Sequence, residues 1–462
     1  MVFSSLTFIC LFLPAALLFY NLSGNITYKN AVLALFSLVF YAWGEPVWVV
    51  LLIFSAALDY SMGLIIDRHY ATNKARAALG CSLALNLGIL AVFKYSPFIV
   101  ENLNLLLPVK LPVPNVSLPV GISFYTFQTL SYTIDLYRGK TRVQRSLLSY
   151  ITYLSMFPQL VAGPIVRYSD IAWELKHRRV SSSDFAAGAK RFTAGLCKKV
   201  ILANNAGDAA GMLLSAAIPT TASSWLGIIL YTFQIYFDFS GYSDMAIGMG
   251  RMLGFHFLEN FDYPYIAKNI TEFWRRWHIS LSTFFRDYVY IPLGGNRFRP
   301  VRNIIIVWLL TGLWHGASWN FVAWGAFYAI LLLIEKYPLK HVIKHIPSPF
   351  CYVYTMFFVI IGWGIFYFTD TAELVSFFRH AFGMGCDLWD LTTVSAFCSN
   401  LWIIVLCVIA STPIPKVIFT HLCKVSPAFA AAAEPAAVAA GFIISFLLLT
   451  GQTYNPFLYF RF

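Results

Sequence analysis

The sequence predicts an all-α, polytopic membrane protein, and three observations predict it. The 462 residues are 59% hydrophobic and only 12% charged, about half the charge of a soluble domain. Apolar runs recur from one end of the chain to the other, each near the length of about 20 residues that crosses a bilayer as helix. Lys and Arg gather in the short stretches between these runs, the distribution that orients membrane helices. About 11 spans fit the chain. A re-entrant piece and interfacial helices accompany them, in a single domain covering residues 1–462.

The elements follow in order. Leu6–Tyr20 is the first apolar stretch, and Lys29 is the first cation, so the basic flank of a cleavable signal is missing. Asn30–Trp43, Val47–Ile66 and Ala77–Phe93 are the next spans. Arg68, Lys74 and Arg76 mark the loop after Ile66 as cytoplasmic. Counting back from that loop puts the N-terminus outside. Glu101–Pro119, poor in charge and interrupted by Pro108, Pro112, Pro114 and Pro119, is then external. Val120–Leu136 is a helix rich in aromatic and hydroxyl side chains. Leu147–Ile165 carries Pro158, Gly163 and Pro164 and lies between the basic segments Arg138–Arg145 and Arg167–Arg179. Irregular backbone at membrane depth must be covered by protein or line a cavity, so this stretch reads as a re-entrant segment. Phe192–Leu214 and Trp225–Phe237 are further apolar stretches. In Phe237–Asp244, Asp238, Ser240 and Asp244 sit among aromatics. Two readings stay open there: a helix break whose polar groups bond across helices, or a proton relay.

Arg251–Arg302 is the one long polar stretch, with eight cations against four acids. Within it Thr271–Ser280 reads as an amphipathic interfacial helix, its tryptophans at headgroup depth and its arginines toward water. Ile304–Ile334 then contains no Asp, Glu, Lys or Arg. Phe350–Phe368, an interfacial piece near Ala372–Phe382, Leu401–Ala410 and Ala436–Thr450 complete the apolar elements. Residues 453–462 form an aromatic tail.

Two histidines stand out by their settings. His315 lies inside the charge-free run, flanked by Trp314, Gly316, Ser318, Trp319 and Asn320. An ionisable group at bilayer depth is costly and marks a functional site by default, and imidazole is the side chain suited to moving protons near neutral pH. His278 closes Trp274-Arg275-Arg276-Trp277-His278, and reads either as an interfacial residue or as a partner of His315 in one cavity. The eight cysteines form no CxxC pair, which points to neither a zinc cluster nor a disulfide framework, and no metal site is expected. Neither a Walker loop nor a G-x-S-x-G elbow occurs. The net charge of +12 fits loop asymmetry plus anionic lipid, or a basic funnel for a phosphorylated donor. No basic soluble domain exists to take nucleic acid.

Trp277-His278 with Leu313-Trp314-His315-Gly316 resembles the two-histidine core of the membrane-bound O-acyltransferases. Phe284–Asn296, Phe157–Ile165 and Tyr236–Asp244 resemble the bacterial polysaccharide-modifying branch of that family, so the likeness runs over nearly the whole chain. It implies a ring of helices around a thinned centre, with His315 as the essential histidine and His278 as its cytoplasmic-side companion. It also implies an acyl thioester donor, acetyl-CoA, and no tightly bound cofactor. Arg275, Arg276, Arg286 and Lys268 then suit the donor's phosphates, because cationic forks match phosphate oxygens. Asp238, Ser240, Asp244, Ser318 and Asn320 become polar residues of the tunnel. Tyr454 and Tyr459 resemble the acyl-accepting aromatic motif of a small partner in teichoic-acid systems. An interfacial aromatic anchor is the other reading of that tail. The implied activity moves acetyl groups from cytoplasmic acetyl-CoA across the cytoplasmic membrane to peptidoglycan or an alginate-like polysaccharide. An external esterase-like partner would complete the transfer. The alternatives are a D-alanyl transferase for teichoic acid fed by a carrier-protein thioester, and a polytopic transporter coupled through Asp238, Asp244 and His315.

Overall fold

The structure is a computed structural model that describes residues 1–451, 457 and 458. It is helical throughout, with no strand among the described residues. Among the described residues six helices are long and apolar enough to cross a membrane: Ile26–Gly44, Val49–Arg68, Asn73–Leu106, Ser348–Tyr367, Leu391–Ala410 and Ala431–Thr450. Protein covers only 6% to 39% of their most apolar windows, so lipid is the environment that suits the rest of their apolar surface. Other apolar stretches are helical but short. Ile122–Tyr137 has 16 residues, nearly all buried in protein, which is why it tolerates so many hydroxyl and amide side chains.

The chain divides into two compact units, Met1–Phe192 with Ser243–Leu258, and Thr193–Tyr242 with Glu259–Phe462. In the first, Asn25 caps the Ile26–Gly44 helix by accepting from the backbone of Thr27 and Tyr28, which satisfies donors that a helix start leaves open. Asp59 is fully buried and accepts from Ser82 Oγ at 2.5 Å and Asn86 Nδ2 at 2.8 Å. These are polar contacts that fasten apolar helices which have no hydrophobic reason to associate in lipid. Gly121 starts the Ile122–Tyr137 helix at φ 78°, and a Cβ there would stand 2.8 Å from the carbonyl of Leu160. The Leu147–Ile165 stretch folds as two short helices, Leu147–Ser155 and Phe157–Leu160, hinged at Met156. Neither is long enough to span.

Two expectations need correction. Phe237–Asp244 is no helix break, since one helix runs from Thr221 to Met252. The acids do not interrupt it because each has a cation from another helical segment of its own unit. Arg191 meets Asp244 at 2.6 Å in the first unit, and Lys199 meets Asp238 at 2.5 Å in the second. The glycines serve close approach: a Cβ on Gly248 would lie 2.6 Å from the carbonyl of Gly188. Likewise Thr271–Ser280 is not one interfacial helix. Ile270–Arg276 and Ile279–Phe285 are separate helices, broken where His278 takes left-handed backbone at φ 45°. Phe273, Trp274 and Trp277 are buried in an aromatic core rather than laid on a surface.

In the second unit the charge-free run is a helical hairpin, Pro300–His315 and Trp319–Lys336, turning at 316–318. A Cβ on Gly312 would lie 2.2 Å from the carbonyl of Phe321, and one on Gly325 2.4 Å from that of Trp308. The two backbones touch because neither glycine has a side chain. Gly312→Ala is therefore expected to destabilise the protein by about 1–3 kcal/mol, the usual cost of overpacking, seen as a lower melting temperature in detergent. Gly80→Ala, whose new methyl meets nothing within 4 Å, should leave that temperature unchanged or raise it. Glu335, near the end of the hairpin, accepts from the backbone N–H groups of Ile270 and Thr271 at 2.6 and 2.8 Å. A carboxylate is favoured at a helix N-terminus, so this contact ties the helix before His278 to the hairpin that carries His315.

Candidate active site

His315 is the last residue of its helix and is 5% exposed. Three rings meet its imidazole edge-on: Trp314, Trp324 and Phe366, with centroids 4.9, 5.1 and 5.2 Å away. The cage holds the ring in one orientation. His278 is 1% exposed, with Phe239 packed edge-on at 4.6 Å. Trp314, 6.0 Å from the His278 ring, touches both histidines.

Asn260 organises His278. Its side-chain oxygen accepts from Ser280 N at 3.2 Å and Ser280 Oγ at 2.9 Å, and faces His278 Nδ1 at 3.1 Å. Its backbone carbonyl accepts from Ile279 N at 2.9 Å. An oxygen that takes the Ser280 N–H can only accept, so Nδ1 carries the proton and Nε2 is the basic nitrogen of the neutral ring. Burial pushes the His278 imidazole down to about 3, which keeps it neutral near pH 7. The left-handed backbone at His278 is the kind of local strain that clusters at functional sites.

Both histidines line one cavity of about 640 Å³. Arg275 and Arg286 line the same cavity, with Trp274, Trp308 and Thr311. Arg286 also pairs with Asp287 at 2.7 Å. Arg276 instead pairs with Glu272 at 2.9 Å and Asp262 at 3.3 Å. Lys268 is exposed, and its backbone N–H donates to Glu272. Neither Arg276 nor Lys268 is among the described lining residues.

The other expected polar residues lie elsewhere. Asp238 is paired with Lys199, and Asp244 with Arg191 in the other unit. Ser240 is buried in the helix between them. Ser318 stands before the Trp319–Lys336 helix and donates to the carbonyl of Thr369 at 3.4 Å. Asn320 donates to the carbonyls of Ile365 and Phe366 at 3.3 and 3.2 Å, which places the Phe366 ring against His315. Tyr454 and Tyr459 lie outside the described residues. Among the described residues no group of three His, Cys, Asp or Glu is placed to hold a metal ion.

Sequence reasoning missed Asn260, Glu335 and the cage residues Trp324 and Phe366. Asn260 sits in a polar loop with nothing local to mark it. Glu335 ends the charge-free run, and that position was its only signal.

A family model for the membrane-bound O-acyltransferase family (MBOAT) matches residues 136–378. The chain is 38% identical to a probable alginate O-acetylase of Pseudomonas putida, over 100% of both chains. It is 34% identical to a peptidoglycan O-acetyltransferase of Helicobacter pylori, covering 79% of this chain and 77% of that protein. A teichoic acid D-alanyltransferase of Bacillus subtilis is 30% identical over 55% of this chain and 70% of its own.

Proposed function

The chain belongs to the membrane-bound O-acyltransferase family and is a multi-pass membrane O-acetyltransferase, and from that premise we propose its donor, route and acceptor. The donor is acetyl-CoA, presented from the cytoplasm. The acetyl group crosses the cytoplasmic membrane through the His278–His315 cavity, in a chain whose N-terminus faces outward. It is destined for hydroxyls of an extracytoplasmic polysaccharide. The relatives of matching length favour an alginate-like polymer or peptidoglycan over D-alanyl transfer, whose relative aligns with little more than half of this chain.

The observation that carries this reading is that both histidines and two arginines line one cavity. Arg275 and Arg286 receive the donor's phosphates. The thioester carbonyl enters beside His315, whose imidazole takes the proton of the attacking hydroxyl as the C–O bond forms. The C–S bond breaks, and the proton passes to the departing thiolate. His278, held by Asn260 with Nε2 basic, is the second site from which a proton can be exchanged. Tyr454 or Tyr459 serves as the attacking hydroxyl, so that a tyrosine ester is a covalent way-station. An external esterase-like partner passes the group on to the glycan.

Arg275→Ala with Arg286→Ala tests the donor assignment. A charge-assisted hydrogen bond is worth about 1.5–3 kcal/mol, so KM for acetyl-CoA should rise at least about tenfold while kcat changes little. A short acetyl thioester without phosphates should show no such rise. Equal effects on both donors would remove the phosphate role.

A further inference from the structure

The helix Ile414–Val425 sits between two candidate spans, Leu391–Ala410 and Ala431–Thr450. Residues 411–413 and Ser426 are not helical and separate it from both. At 12 residues it is too short to cross a bilayer and marginal as an isolated helix in water. None of its residues is buried, so its own unit supplies little of the cover that would keep it folded. Its side chains sort into rows at helical spacing. Phe419 and Cys423 are half-buried, and the Phe419 ring stands 6.5 Å from that of Phe429 on the next helix. Ile414, Ile418, Leu422 and Val425 make an apolar row and are 45% to 69% exposed. Lys416, Thr420 and Lys424 make a polar row on another face, all exposed. Residues 391–433 contain no Asp or Glu, and these two lysines are the only Lys or Arg in that stretch.

We propose that Ile414–Val425 is an interfacial helix that binds anionic phospholipid, with its apolar row in the acyl region and Lys416 and Lys424 on the headgroups. The spans on either side tether it at one face of the membrane. An apolar row beside a cationic row, with no acid near in sequence, matches acyl chains beside anionic headgroups, the pattern of helices that lie in the membrane surface. A zwitterionic surface would cover the apolar row equally well but would give the lysines no net attraction. Lipid charge therefore decides how firmly the helix is held. Each lysine near an anionic surface strengthens binding about fivefold, and the pair about thirtyfold. The lysines also assign this end to the cytoplasmic leaflet, where anionic lipid is exposed. None of these residues is among the described lining residues of the histidine cavity, so the proposal stands apart from the donor, route and acceptor proposed above.

The test places the full chain, one copy per lipid nanodisc, in discs of phosphatidylcholine alone or of phosphatidylcholine with an equal share of phosphatidylglycerol. Hydrogen–deuterium exchange is followed over a peptide containing residues 414–425. Wild type should exchange at least about tenfold more slowly in the anionic discs. Lys416→Gln with Lys424→Gln should abolish that difference. Lys340→Gln with Lys344→Gln removes the same charge from another exposed basic stretch and should keep it. Ile418→Ser with Leu422→Ser should exchange fast in both lipids. Equal exchange of wild type in the two lipids would overturn the recognition of lipid charge. Loss of the difference in the Lys340, Lys344 variant as well would assign it to net charge rather than to this helix, and protection of the serine variant at the wild-type level would overturn the interfacial placement. Protection that appears only in discs holding two chains would give the face to a second copy and overturn the lipid as its occupant.

Discussion

Replacing His315 with Gln lowers acetyl-CoA turnover by about 10²–10⁴-fold, the range that a positioned general base contributes. Gln fills much of the volume that Trp314, Trp324 and Phe366 enclose, so the cage keeps its packing while the proton acceptor is lost. KM should stay close to wild type, because Arg275 and Arg286, the residues proposed to receive the donor's phosphates, are untouched. The assay is thioester consumption by detergent-purified protein, with melting temperature measured in parallel. A His315→Gln protein that melts like wild type and turns over at the wild-type rate would remove the assigned role. His278→Gln should also lower kcat. It lines the cavity and is tied to Asn260, and it is proposed to exchange a proton rather than to contact phosphate, so KM should again hold.

Lys199→Met is expected to produce the largest loss of stability, about 3–5 kcal/mol, the cost of leaving one partner of a buried pair uncompensated. Asp238 keeps the Leu458 N–H, but a single neutral donor does not replace an ammonium at 2.5 Å. Lys199→Met combined with Asp238→Leu should recover most of the melting temperature, because matched apolar replacements of a buried pair are often neutral. A double variant no more stable than the single would show that the cost lay in shape rather than charge.

The membrane class was legible from apolar runs and cation placement, and His315 from the cost of an imidazole inside a run without charge. The number of spans was less legible. Hydropathy does not distinguish a helix covered by lipid from one covered by protein, and Ile122–Tyr137 is of the second kind. Trp274 and Trp277 looked interfacial because they flank an arginine pair. The left-handed turn at His278 and the grip of Glu335 on the preceding helix carry them inward instead. Asp238 and Asp244 read as a helix break or a proton relay. Their true partners, Lys199 and Arg191, are distant in sequence, and each acid falls in a different compact unit. Asn260 was invisible because its role arises from how the chain turns at His278, which no local pattern encodes.

The central claim is that one cavity receives the thioester beside His278 and His315. An electron cryomicroscopy structure with a non-hydrolysable thioether analogue of acetyl-CoA tests it most directly. The account predicts the acyl end within hydrogen-bond reach of the His315 ring and the phosphates against Arg275 and Arg286. An analogue bound elsewhere on the protein, with the histidine cavity empty, would contradict it.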